Sequence, residues 1–203
     1  MRPVLLINGF LAPSVSMKPL QWRLSRRGVS GVTVASMPPL GIQSIPTLAE
    51  AIDRSVSRVL RASGGDEVDL VGVSQGGLAA LWWLQQGGAA RTRRFVALGS
   101  PFQGTWFAMA GVPLLGAVSQ GVWDSLPSSE RVEALMALGA PRGVECTSVA
   151  IPGDPVAPPA RCRLPGAAFR LAPRTRVPLR HQALIVSSGC ADLTAQILLE
   201  PDS

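Results

Sequence analysis

Residues 68–84 read Val-Asp-Leu-Val-Gly-Val-Ser-Gln-Gly-Gly-Leu-Ala-Ala-Leu-Trp-Trp-Leu: two apolar stretches of different period joined by a turn of small residues. The first, Val68 to Val73, is short and nearly continuous, the pattern of a strand buried on both faces. The second, Leu78 through Leu84, has helical spacing. Ser74 falls at the apex between them. A strand that turns directly into a helix holds its apex residue in a strained backbone conformation and projects that side chain clear of the sheet. Gly72 and Gly76 flank the turn, where a side chain would block the close approach of strand and helix. The Gly-x-Ser-x-Gly pattern is not decisive alone, since at this composition chance yields it about 0.2 times. Its weight comes from the strand before it, the helix after it and the partners downstream.

The rest of the chain repeats the alternation. Strands are expected over residues 3–8, 32–35, 95–98 and 147–151, with a further one around 167–171 or nearer Val177. Helices are expected from Ser16 to Arg27, from Pro46 to about Ala62 and from Asp192 to Leu199. In the second of these, Leu48, Ile52, Val56, Val59 and Leu60 fall at helical intervals. Apolar strands alternating with helices specify an α/β architecture, a parallel sheet covered on both faces. Ligands of such sheets sit beyond the carboxyl ends of the strands. Asn8-Gly9-Phe10, Ser74, Ser100-Pro101 and Asp154 all follow expected strands and are expected to gather at that edge.

Size and composition fit one domain over residues 1–203, with 47% hydrophobic and 16% charged residues. Residues 102–145 form an insertion with Trp106, Phe107, Leu114 and Trp123 among its apolar side chains. A connection this long carries its own helices or a function, and a cap over an acyl-binding pocket is expected, with a plain packed helical excursion as the alternative. No apolar run approaches a membrane span, and Val4 to Ile7 is too short for a signal-peptide core, so a cytoplasmic protein is expected. The net charge of +6 comes from 18 Arg and the single Lys18. No aromatic residues interleave with them, which argues against a nucleic-acid platform. A solvated arginine-rich surface accounts for this charge, and the sharper expectation is peripheral attraction to an anionic membrane surface. The three cysteines, Cys146, Cys162 and Cys190, are an odd number and favour free thiols, with a Cys146–Cys162 clip as the alternative. A chain with one histidine has no zinc-site spacing.

A serine hydroxyl needs a base to act as a nucleophile, and the base needs an orienting acid. His181 is the only imidazole in the chain. Between it and Ser74 the acids are Asp124, Glu130, Glu133, Glu145 and Asp154. The first three lie in the insertion, and Glu145 precedes its strand, at the wrong edge. Asp154 follows a strand, in a loop stiffened by Gly153, Pro152, Pro155, Pro158 and Pro159. A turn aspartate capping its own backbone is the alternative role. The order Ser74, Asp154, His181 is the one a hydrolase of this architecture requires.

Four motifs spanning nearly the whole chain resemble the small bacterial lipases and esterases of the α/β-hydrolase superfamily. Asn8-Gly9-Phe10 is similar to the loop after the first strand. Gly72-Val73-Ser74-Gln75-Gly76-Gly77 is similar to the lipase nucleophile elbow. Leu98-Gly99-Ser100-Pro101-Phe102-Gln103-Gly104-Thr105 resembles a Gly-Ser-Pro strand end. Gly153-Asp154 and His181 resemble the acid and base loops. The resemblance implies a minimal α/β-hydrolase fold of about six mostly parallel strands, helices on both faces and a helical cap. It implies Ser74 as nucleophile, His181 as base and Asp154 as orienting acid. The backbone N–H groups of Phe10 and Gln75 would hold the oxyanion, and no cofactor is implied. Phe102, Trp106, Phe107 and Leu114 are the expected contacts to an apolar acyl group of a small-molecule or lipid ester. Acyl transfer and thioester cleavage use the same triad, and a non-catalytic lipid- or partner-binding member is a third alternative. Asn8 stands where the family usually has histidine, and Phe102 where it has a polar residue.

Overall fold

Six strands form one sheet: β1 (Val4–Ile7), β2 (Val32–Val34), β3 (Val68–Val73), β4 (Thr92–Leu98), β5 (Glu145–Ala150) and β6 (Ala168–Leu171). Their spatial order is β2-β1-β3-β4-β5-β6, and every neighbouring pair is parallel. The computed structural model describes residues 2–106, 119–127 and 129–201. Among the described residues the α-helices are α1 (Lys18–Ser25), α2 (Ile45–Ser63), α3 (Gln75–Gln85), α4 (Gln120–Asp124), α5 (Glu130–Leu138), α6 (Ala183–Val186) and α7 (Ser188–Leu199).

The two faces of the sheet are separated by strand alternation. Leu5, Ile7, Leu70, Phe95 and Ala97 point into one core with α2 and α3. Val4, Leu6, Val71, Val73, Val96 and Leu98 point into the other with α1, α6 and α7. Because successive side chains of a strand face opposite ways, a continuous apolar run is what a sheet covered on both sides requires. Helix α2 is bounded by sequence chemistry. The Ser44 hydroxyl accepts from the Thr47 N–H and Pro46 stands in the first turn, while Gly64 closes the other end at φ 67°.

A buried charge ties the last helix to the sheet. Arg94, only 3% exposed, donates from Nε to Glu145 Oε2 at 2.6 Å and from Nη1 and Nη2 to the carbonyls of Leu198 and Glu200. Glu145 thus sits at the amino edge of β5, as expected, and works there as an anchor.

One detail departs from the sequence expectations, and two that were left open are decided. The last strand lies at 168–171, the first of its two expected positions, and not near Val177. It is an edge strand with mostly exposed side chains, Leu171 included, so it lacks the continuous apolar signature. Helix α7 begins at Ser188, not Asp192, where Gly189 passes close to Pro173. The Cys146–Cys162 clip is not formed: both thiols are free and buried, and Cys162 Sγ lies 3.4 Å from the Ala157 carbonyl oxygen. Among the described residues, no helix is long and apolar enough to cross a membrane.

Candidate active site

The sheet order sets Ser74 after β3, Gly99 after β4, Asp154 after β5 and His181 beyond β6, in sequence along one edge. Ser74 has φ 55° and ψ −125°, a conformation that costs a non-glycine residue energy and persists only when its surroundings enforce it. The enforcement is visible. The Ser74 N–H donates to the Leu98 carbonyl at 2.9 Å, and the Ser74 carbonyl accepts from the Gly77 N–H at 3.0 Å.

Glycines make the elbow fit. A Cβ on Gly72 would lie 2.6 Å from Gly77 Cα, so this position does bring strand and helix together. Gly76 works against a different partner: a Cβ there would lie 2.5 Å from the Asn8 carbonyl oxygen and 2.7 Å from that of Ile7. It seats the start of α3 against the end of β1, not against its own strand. Gly77 leaves room for Ser100 Oγ, which a Cβ would approach to 1.9 Å. Gly9 runs directly beside the serine, its Cβ position 3.0 Å from Ser74 Cβ and 3.6 Å from Oγ.

Beyond β5, Asp154 is 2% exposed. Its Oδ1 accepts from the Val156 and Ala157 N–H groups at 2.9 and 3.2 Å, and its Oδ2 lies 2.7 Å from His181 Nδ1. The aspartate therefore does cap its own turn, and the same carboxylate also holds the imidazole. A carboxylate only accepts, so Nδ1 carries the shared proton, which in a neutral ring leaves the lone pair on Nε2. The His181 ring packs over Gly99, whose Cβ position is 3.5 Å from Cε1.

The loop carrying Phe10 is braced by Asn8. Its Nδ2 donates to the Ala12 carbonyl at 2.6 Å, and its Oδ1 lies 3.3 Å from the Ser14 hydroxyl. Leu11, at φ 52°, donates its N–H to the Leu40 carbonyl. The Gln75 side chain is buried at 3% exposure between Gly41 and Gly121, a packing role that its place at the start of α3 did not announce.

The expected acyl contacts divide. Phe102 is fully buried in the core shared by α2 and α3, so it packs the interior and does not stand at an open mouth. Trp106 is 60% exposed, with the Arg161 guanidinium 5.1 Å above its ring. Phe107 and Leu114 lie outside the described residues. The described part of the insertion docks beside the site. The Ser119 hydroxyl and the Gly121 N–H both donate to the Ile42 carbonyl, and Asp124 Oδ2 accepts from the Ile45 N–H at 2.8 Å.

Comparison with solved structures places this architecture. The chain is similar to Aspergillus fumigatus lipase B, with TM-score 0.70 and 18% identity, over 84% of this chain and 44% of that one. It is similar to phospholipase PlaB from Legionella pneumophila, with TM-score 0.80 and 12% identity, over 98% of this chain and 58% of that one. It is also similar to Bacillus licheniformis lipase BlEst2 in mature form, with TM-score 0.72 and 15% identity, over 98% and 91%. The chain thus spans about half the length of the first two. No protein-family model matches the chain, and no curated protein matches it. At these identities the likeness is one of fold, and the fold is that of the α/β-hydrolases. Lipases, esterases and a phospholipase are its structural neighbours.

Proposed function

We propose that this protein is a serine hydrolase that cleaves carboxylic esters of apolar acyl chains. The observation that carries the reading is the buried Asp154, bonded to His181, at the same sheet edge as a strained Ser74. Ser74 Oγ attacks the acyl carbonyl carbon as its proton passes to His181 Nε2. The resulting oxyanion is held by the N–H groups of Phe10 and Gln75, each contributing about 3 kcal/mol to the transition state. Collapse expels the alcohol, which takes the proton from His181 and leaves the acyl group on Ser74. Water then attacks the acyl-enzyme, gives a proton to His181, and the carboxylic acid departs as Ser74 regains it.

The helix dipole supports this role for Gln75, because its N–H opens α3. The insertion is a cap in this reading, and its exposed Trp106 offers apolar surface to an acyl chain. A fluorophosphonate probe tests the assignment. The native chain should be labelled and Ser74→Ala should not; labelling of both, or of neither, refutes it.

A further inference from the structure

A groove of about 400 Å³ opens beside the acid and base, lined by Pro152, Gly153, Arg174 and Arg180. Two of its lining residues are chain neighbours of the pair itself: Gly153 precedes Asp154 and Arg180 precedes His181. We propose that this groove is a subsite for a phosphate group carried by the ester substrate, with Arg174 and Arg180 as its donors. The proposal rests on the hydrolase reading and adds to it the charge of the substrate.

Charge along this stretch is one-sided. Residues 155–191 contain six arginines and no carboxylate. Three of these arginines are engaged elsewhere. Arg161 donates to the Gln103 carbonyl, Arg163 lies over Phe169, and Arg170 meets Glu200. The two in the groove form no ion pair with an acid among the described residues, and the neighbouring Asp154 is buried and turned toward His181.

Arg180 is already oriented. Its Nη1 donates to the Pro152 carbonyl at 2.9 Å, and its guanidinium lies against Gly153, whose Cβ position is 3.2 Å from Nη1. Gly153 has φ 78°, so a side chain there is disfavoured by backbone as well as by space. A guanidinium is a planar fork of donors that matches phosphate oxygens, and a pair of them meets a doubly charged group. The groove lies on the β5–β6 side of the site, while residues 119–124 of the insertion dock on Ile42 and Ile45, toward β1 and β2.

The test compares the butyryl esters of glycerol and of glycerol 3-phosphate, both soluble. In the native chain kcat/KM should favour the phosphate ester at least tenfold, through KM. That ratio should fall to near one in Arg174→Gln and below one in Arg174→Glu. Arg54→Gln, an exposed site on α2, should keep the native ratio. A native ratio near one with both the soluble and the vesicle-borne esters, or a ratio unmoved in Arg174→Glu, overturns the proposal. Repeating the comparison with long-chain acyl glycerol 3-phosphate in zwitterionic vesicles separates the sources. A preference with the soluble ester assigns a free phosphate ester, and one only in vesicles assigns a lipid headgroup. Calorimetric titration of glycerol 3-phosphate into Ser74→Ala needs no turnover. Binding that Arg174→Glu abolishes supports the subsite even if the hydrolase assignment fails, and absence of binding refutes it.

Discussion

Asp154 holds His181 with one carboxylate oxygen and is itself held by the other. Oδ2 lies 2.7 Å from His181 Nδ1, while Oδ1 takes the N–H groups of Val156 and Ala157. The imidazole is thus referenced to the backbone of a loop rich in proline, which limits both its tautomer and its tilt. Asp154→Asn keeps the two backbone bonds available but can present an amide N–H to Nδ1, favouring the wrong tautomer. Ester turnover should fall by about 10⁴, with the thermal midpoint little changed. Steady-state kinetics and calorimetry on the same preparation check this, and a loss below tenfold would remove Asp154 from the mechanism.

Gly99 provides a test of imidazole placement that leaves Ser74, Asp154 and His181 unsubstituted. It has φ 55°, and a Cβ there would sit 2.3 Å from Leu184 Cδ1 and 3.5 Å from His181 Cε1. Gly99→Ala should therefore displace α6 and tilt the ring. A misplacement of this kind costs about 10²-fold in kcat. Leu184→Ala in the same chain relieves the nearer contact and should restore part of that loss. Full activity in Gly99→Ala would mean that the ring needs no support from this side.

The central strands were legible because burial on both faces writes a continuous apolar run, as in Val68 to Val73 and Phe95 to Leu98. β6 was harder to place because an exposed edge strand carries no such run, and Ala168–Leu171 shares its surroundings with loop-like proline and arginine. The start of α7 was missed at Gly189 and Cys190, residues without helical periodicity, whose helix is set by packing on the second core. In the candidate site, the placing of Ser74, Asp154 and His181 along one sheet edge was legible from residue type, order and position after strands. The close approaches at Gly9, Gly76 and Gly99 could not, since each depends on a segment distant in sequence. A run of glycines marks where the backbone must pass near something but not what it passes. Phe102 was misjudged for the same reason: an aromatic after a strand end reads alike whether it turns out toward substrate or down into the core.

Asp124 was set aside as a candidate acid, and it has another task. It is 7% exposed, and its Oδ2 accepts from the Ile45 N–H at the first turn of α2. The carboxylate satisfies an orphan donor and complements the helix dipole, a pairing worth about 1–2 kcal/mol. It also joins the insertion to the frame around the Gly41–Gln75 contact. Asp124→Ala should lower stability by about that amount, and Asp124→Asn, which retains an acceptor, by less. Urea unfolding distinguishes them through the midpoint at constant slope. Equal losses in the two variants would show that charge, not the hydrogen bond, makes the cap.

The three thiols give the fold a direction of pH sensitivity. Burial pushes Cys146 and Cys162 up to about 12 and Cys190 up to about 11, from an ordinary value of 9.0, with the Asp154 charge adding to the rise at Cys162. A folded thiol thus keeps its proton at a pH where the unfolded chain has lost it. The unfolded state then binds fewer protons, so unfolding free energy falls as pH rises, by up to about 1.4 kcal/mol per unit per thiol. The loss begins as pH passes 9.0 and continues until the folded thiols themselves ionise. Well below that value, where the unfolded thiols also keep their protons, the three groups contribute nothing to the slope. Native chain should therefore resist iodoacetamide at pH 8, where the buried thiols are protonated and enclosed. Its urea midpoint should drop between pH 9 and 10.5, and Cys190→Ala should flatten that drop by about a third. Rapid alkylation of the folded protein at pH 8, or an identical alkaline slope in the variant, would refute the account.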